Sequence, residues 1–272
     1  MIYVDASTGK AIRMQRIFNP IDGKALINAY SHSVIYGPIK GAENLSEIRK
    51  NLAVIAEEVD GVILNPGSVK HLADLFYGKD KASLIIQIDY QNYSRKKTLA
   101  YAEGSALSLF TIEDALKAGA DAVMSYLYLG AEDPDREAEE IRRNRDYVSR
   151  SREYGLPLIM EPRFAREAVE PEKKYDIEVM KLYTRIAQDI GADIIKLINP
   201  GSDQKLAEIA ELIDIPILTA GGENKGERQT LSNADRYLAN GASGLIFGRS
   251  IFQSENMKEL LIKLNKIVHP ES

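Results

Sequence analysis

The chain has 272 residues, 44% of them hydrophobic and 28% charged, with a formal net charge of −5 at pH 7. That balance suits a soluble globular protein with one large α/β domain or two small ones, and its mild acidity gives no electrostatic case for a nucleic-acid partner. No apolar run approaches the roughly 18 residues that span a bilayer, and the absence of cysteine excludes disulfides and thiol nucleophiles.

Met1–Lys10 lacks a basic start followed by an apolar core, so the expected location is the cytoplasm. Residues 1–24 precede the first expected strand and read as an N-terminal arm covering the bottom of the fold. From there, apolar β-branched runs alternate with amphipathic stretches. The expected strands are Ala25–Tyr30, Gly61–Asn65, Leu84–Tyr90, Ala122–Leu129, Leu158–Glu161, Ile194–Leu197, Ile217–Thr219 and Gly244–Phe247. Helix-like stretches lie between them, including Glu43–Val59, Glu132–Glu153, Asp176–Ile190, Gln204–Ile213 and Asn233–Asn240, with apolar residues at three- and four-residue spacing. The segment Gln91–Phe110 is long for a strand-to-helix connection, and its basic triplet Arg95-Lys96-Lys97 reads as solvated surface.

A local pattern recurs at helix-to-strand joints: Ala118-Gly119-Ala120-Asp121, Ile190-Gly191-Ala192-Asp193 and Asn240-Gly241-Ala242-Ser243. Glycine closes each helix in a left-handed turn, and the chain then enters a buried strand. Eight such units, at roughly 30 residues each, predict a (β/α)8 TIM barrel as one domain over residues 1–272. A doubly wound sheet would want a glycine-rich fingerprint after the first strand, and Ser31-His32-Ser33-Val34-Ile35-Tyr36-Gly37 supplies none.

In such a barrel the C-terminal strand ends carry the chemistry. Those ends hold Ser31, His32, Asn65, Asp89, Tyr126, Tyr128, Glu161, Arg163 and Lys196, followed by two glycine turns. Lys196 ends an apolar strand, where a desolvated amine is available as a neutral nucleophile for imine formation; the plain alternative is a strand-end lysine paired with an acid. The turns Thr219-Ala220-Gly221-Gly222 and Phe247-Gly248-Arg249-Ser250 follow strands seven and eight, where backbone N–H groups of many barrels hold a phosphate. Gly221, Gly222, Gly248 and Arg249 are therefore the expected phosphate-binding residues, with Lys196 next door under the substrate carbonyl. The only histidines, His32, His71 and His269, fall in no metal-ligand spacing, so no metal site is expected.

The chain resembles the archaeal-type class I fructose-bisphosphate aldolase family, which includes the aminodideoxyheptulosonate synthases. The resemblance spans about residues 10 to 269 of the sequence. Gly9-Lys10, Arg16-Ile17-Phe18, Tyr36-Gly37-Pro38-Ile39-Lys40-Gly41, Pro162-Arg163, Gly191–Lys196, Ala220-Gly221-Gly222, Gly248–Gln253 and Ile267-Val268-His269 carry it. It implies a Schiff base on Lys196, a substrate phosphate on the glycine turns and Arg249, no cofactor, and a homo-oligomer such as a decamer. Two positions depart from the family. Ser31-His32-Ser33 stands where Asp-His-Gly is usual, and Glu161-Pro162-Arg163 where Tyr-Pro-Arg is usual, with that tyrosine the acid–base residue.

These changes point away from ordinary fructose-1,6-bisphosphate cleavage. A glutamate at the fifth strand is similar to the tagatose-bisphosphate aldolases, so Glu161 is an acid–base candidate, or else an ion-pair partner of Lys196 or Arg163. Asp89 could replace the missing aspartate or cap the following turn, and His32 could bind substrate or brace the first loop. Ser31 and Arg163 complete the expected substrate-binding set, and Tyr126 and Tyr128 read as barrel packing. The leading expectation is a Schiff-base lyase or transaldolase acting on a phosphorylated ketose or aldehyde. The alternatives are a catalytically altered sugar-phosphate-binding barrel, a synthase-like transferase, or a decarboxylase or isomerase, which would want an acid where Ile194 stands.

Overall fold

The computed structural model describes residues 6–95, 99, 101 and 104–270. In chain order the strands are β1 (Ala25–Ala29), β2 (Gly61–Leu64), β3 (Ser83–Gln87), β4 (Asp89–Gln91) and β5 (Ala106–Ser108). They continue as β6 (Ala122–Leu129), β7 (Leu158–Phe164), β8 (Ile194–Leu197), β9 (Ile217–Ala220) and β10 (Gly244–Phe247). All but β4 and β5 join one closed barrel in the order β1-β10-β9-β8-β7-β6-β3-β2. Each neighbouring pair is parallel, with helices crossing between strands. This is the expected (β/α)8 barrel.

Alternation along the strands sorts side chains into two layers. Ile27, Ile63, Ile85, Met124, Tyr126, Tyr128, Ile159, Ile194, Leu218 and Ile246 fill the interior. Val123, Leu127, Leu158, Ile195, Leu197 and Leu245 face the helices. Each fully buried Leu or Ile contributes about 1.5–3 kcal/mol by leaving water.

The recurring joint has a physical reason beyond its glycine. Asp121, just before β6, accepts from the Leu84 N–H of β3 at 3.1 Å, and Asp193, just before β8, accepts from Leu158 N–H of β7 at 2.9 Å. Each acid satisfies the first free donor of the neighbouring strand at the closed end of the barrel. Gly191 is left-handed at φ +116, and a Cβ there would lie 2.5 Å from Arg152 Nη2 and 2.9 Å from Val148 Cγ1.

The N-terminal segment holds a helix, Ala6–Ile17, lying across that same end. Lys10 Nζ pairs with Asp193 at 2.8 Å, Arg16 pairs with Asp121 at 3.0 Å, and Ile17 is fully buried under the interior layer. The expected third strand, Leu84–Tyr90, breaks in two. β3 ends at Gln87, and Asp89–Gln91 turns away to pair antiparallel with Ala106–Ser108. The long connection thus begins and ends in a small hairpin; Lys96 and Lys97 of the basic triplet lie outside the described residues.

Candidate active site

Lys196 follows Ile195 on β8, and because Ile195 packs outward, the lysine points into the barrel. It is 7% exposed. Its Nζ lies 2.8 Å from Glu161 Oε2 and 3.8 Å from Met124 Sδ. Glu161 sits on β7 beside Tyr126 of β6, and its other oxygen accepts from Arg163 Nη1 at 2.8 Å. Burial pushes the Glu161 carboxyl up, but Lys196 and Arg163 together outweigh that and hold it below the usual carboxylate range. The buried amine therefore has a proton acceptor in direct contact.

The two glycine turns lie side by side next to this pair. A Cβ on Gly221 would meet Phe247 Cδ1 at 2.8 Å and Ser250 Oγ at 3.0 Å, so the turn after β9 rests on the turn after β10. Asn224 Nδ2 donates to Gln253 O at 3.1 Å and ties them together. Gly222 is left-handed at φ +74. The cradle has spare donors: Arg249 Nε and Ser250 Oγ are buried with no protein partner. Arg249 Nη1 lies 3.7 Å from Glu223 Oε1, on an exposed side chain. Unpaired buried donors are costly, and an anion would satisfy them.

His32 joins the two halves. Its ring packs on Gly248, where a Cβ would lie 2.6 Å from both His32 Cε1 and Ala29 O. Burial, then the charges of Lys196 and Arg249, drive the imidazole down to about 3, so it is neutral, with Nδ1 unpartnered. Ser31, two residues past the end of β1, is 4% exposed.

Two expected site residues are otherwise engaged. Asp89 is fully buried; its Oδ2 accepts from Tyr126 N–H at 2.8 Å and from Arg143 Nη1 at 2.6 Å. Burial pushes it up to about 6 against the pull of Arg143. The structure thus commits it to the helix Pro134–Tyr154, because the β3–β4 break turns it out of the barrel. Arg163 divides its guanidinium between Glu161 and Glu167, with Nη2 donating to Glu167 at 2.7 and 2.6 Å, so it is not open toward a phosphate. Tyr126 and Tyr128 both face inward, two residues apart on one strand face.

Several mouth residues escaped the sequence reading. Glu167 is 1% exposed and lies four residues beyond Arg163, a spacing that signals an ion pair when the chain turns. Ser94 donates to Glu167 Oε1 at 2.9 Å, across a sequence separation that no local pattern reveals. Tyr36, stacked 6.4 Å from His32, stands under the Arg249 guanidinium.

A DeoC/LacD family aldolase model matches residues 25–254. An uncharacterized aldolase of Saccharolobus solfataricus is 32% identical over 263 residues, 96% of this chain and 94% of the relative. The 2-amino-3,7-dideoxy-D-threo-hept-6-ulosonate synthase 1 of Archaeoglobus fulgidus is 29% identical, over 96% of this chain and 91% of its own. Among solved structures, an archaeal fructose-1,6-bisphosphate aldolase with its catalytic lysine bound to the carbinolamine intermediate superposes with a TM-score of 0.80. It is 22% identical, covers 96% of this chain and 99% of its own, and supports the fold. With its barrel closed, its amine inside and its length matched nearly end to end, the chain belongs to the DeoC/LacD aldolase family.

Proposed function

We propose that the protein is a class I, Schiff-base aldolase-type lyase or transaldolase for a phosphorylated ketose or keto sugar other than fructose-1,6-bisphosphate. One observation carries the reading: Lys196 Nζ is inside the barrel, 2.8 Å from Glu161, beside a cradle whose Arg249 and Ser250 have donors to spare. Glu161 takes the ammonium proton, and the neutral amine attacks the carbonyl carbon. The carbinolamine loses its oxygen as water on receiving that proton, leaving a protonated imine. The imine accepts, as an enamine, the electron pair of the bond between the carbon next to it and the following hydroxyl-bearing carbon, while that hydroxyl's proton passes to Glu161. An aldehyde leaves, the enamine carbon is protonated, and water releases the product and the free amine.

Gly221, Gly222, Gly248 and Arg249 hold the phosphate, and neutral His32 with Ser31 hydrogen-bonds the substrate. Arg163 orients Glu161. Asp89 braces the wall through Arg143 and takes no proton. The relatives named as synthases, such as that of Archaeoglobus fulgidus, favour a second reading in which the same enamine attacks a different acceptor, making the enzyme a transferase. A homo-oligomer in the cytoplasm belongs with the proposal; the exposed apolar Ile12 and Ile21 near the closed end offer a surface for it. Assaying aldehyde release from a panel of ketose mono- and bisphosphates tests the function. Cleavage of at least one ketose phosphate, abolished in Lys196→Met, is expected. No turnover across the panel together with tight phosphate-dependent binding would instead identify a binding barrel.

A further inference from the structure

The steps above leave one buried charge without work. Glu167 follows β7 and holds Arg163 Nη2 with both oxygens, at 2.7 and 2.6 Å. Arg163 Nη1 meanwhile donates to Glu161 Oε1 at 2.8 Å. The guanidinium is therefore shared between two carboxylates, of which Glu161 is the one in contact with the amine. Ser94, which follows β4, donates to Glu167 Oε1 and sits 3.0 Å from the Tyr128 hydroxyl.

Lys196 and Arg163 are balanced by Glu161 and Glu167 in a site nearly closed to water, where an uncompensated charge is expensive. Without the Glu167 charge, Arg163 keeps Glu161 as its carboxylate partner and competes with Lys196 for it. We infer that Glu167 is a positioning residue: by holding Arg163 Nη2 with both oxygens, it limits Arg163 to a single bond on Glu161 Oε1 and keeps Oε2 on Lys196 Nζ. The inference rests on the roles proposed above for Lys196 and Glu161. It extends them by giving Glu167 a task and by linking the segment after β4, through Ser94, to the reacting pair.

The surrounding groups do not compete for this role. Around Glu161 stand Lys196 on β8, Arg163 on β7, Tyr126 on β6 and His32 after β1. Burial holds the Tyr126 hydroxyl protonated and His32 neutral, and Arg163 stays charged. Around Glu167 stand Arg163, Tyr128 and Lys174; burial pushes its carboxyl up, and Arg163 more than reverses this, so it is ionised at neutral pH. Tyr36, at the mouth, faces the charges of Arg163, Arg249, Glu167 and Glu161.

The test labels the full-length protein with acetaldehyde and cyanoborohydride over a pH series and quantifies the peptide bearing Lys196. Acetaldehyde needs neither a phosphate cradle nor bond cleavage, so its result is separate from the function: acetaldehyde labelling with no adduct from a ketose phosphate refutes the substrate reading alone. In Glu167→Gln the midpoint of labelling moves acid-ward by about one pH unit, which is about tenfold more label on the acid limb. Glu167→Asp, which keeps the charge, recovers most of the wild-type midpoint. Should Glu167→Gln fail to fold, Ser94→Ala carries the test: every charge remains, Glu167 Oε1 no longer shares its charge with the Ser94 hydroxyl and holds Arg163 more strongly, and the midpoint moves to higher pH. Reduced labelling at all pH values with an unmoved midpoint would mean a merely structural Glu167 and overturn the inference. So would a wild-type Lys196 that acetaldehyde never labels.

Discussion

Replacing Glu161 by glutamine separates its work in the fold from its work in the reaction. The side chain keeps its shape, but the ion pair with Lys196 at 2.8 Å and the hydrogen bond from Arg163 at 2.8 Å lose their anion. Removing one partner of a buried pair costs about 3–5 kcal/mol; Arg163 retains Glu167, so the lower end, about 3 kcal/mol, is expected at pH 7. For a chain of this size that is a fall in melting temperature of roughly 6–12 °C. The pH dependence has a definite sign. Glu161 is held below its unfolded value, so its stabilising contribution is complete above the ordinary carboxylate pKa and is lost as pH falls through the lower folded value. The gap between wild type and Glu161→Gln should therefore narrow in acid. Turnover should fall by about 10²–10⁴, the usual worth of a positioned acid–base group. Melts at pH 7 and in acid, run beside steady-state assays, read both effects. A gap that does not change with pH, or turnover within twofold of wild type, would refute the assignment.

Gly248→Ala drives a Cβ to 2.6 Å from Ala29 O, a backbone atom that cannot swing away, so it should cost about 1–3 kcal/mol and raise KM for phosphorylated substrate. Gly222→Ala meets nothing within 4 Å but is left-handed at φ +74, so it should cost about 1 kcal/mol; melting curves and KM rank the two. Asp89→Asn should lower stability by only about 1 kcal/mol, because the Asp89 carboxyl is pushed up to about 6 and Arg143 keeps Glu140 at 2.7 Å, while leaving the rate of imine formation within a few-fold, measured by single-turnover trapping. At the closed end, His269 bonds Asp22 at 2.7 Å and Asp60 at 3.0 Å. Burial pushes the imidazole down, but Asp60 and Asp22 outweigh it and raise it, so its contribution is full below the ordinary histidine pKa and is lost as pH rises through the folded value. His269→Asn should accordingly cost about 1.5–3 kcal/mol in mild acid and less in base, read by denaturant melts.

The barrel strands were legible because each is a short β-branched run entered through a glycine joint, and β6, β8 and β10 have the expected bounds. The acid in two of those joints was visible; its task, receiving a donor from the next strand, required the barrel register. The β3–β4 break was hidden because no glycine or proline separates Gln87 from Asp89-Tyr90-Gln91, and its partner Ala106–Ser108 lies beyond a polar stretch. Asp89 was placed at the mouth for that reason, whereas its cation, Arg143, is 54 residues away. Lys196 and the glycine turns stood out because a lysine inside an apolar strand and paired glycines after strands seven and eight are chemically odd. Glu167 and Ser94 did not, since a polar residue in a connection is ordinary until its partner is known.

The account depends on Lys196 becoming a secondary amine when a substrate imine is reduced. Incubation with dihydroxyacetone phosphate and borohydride, followed by peptide mapping, measures that event. The account predicts one adduct, on the peptide carrying Lys196, absent in Lys196→Met and suppressed by inorganic phosphate. An adduct spread over surface lysines, or an unmodified Lys196 peptide with every ketose phosphate offered, would contradict it.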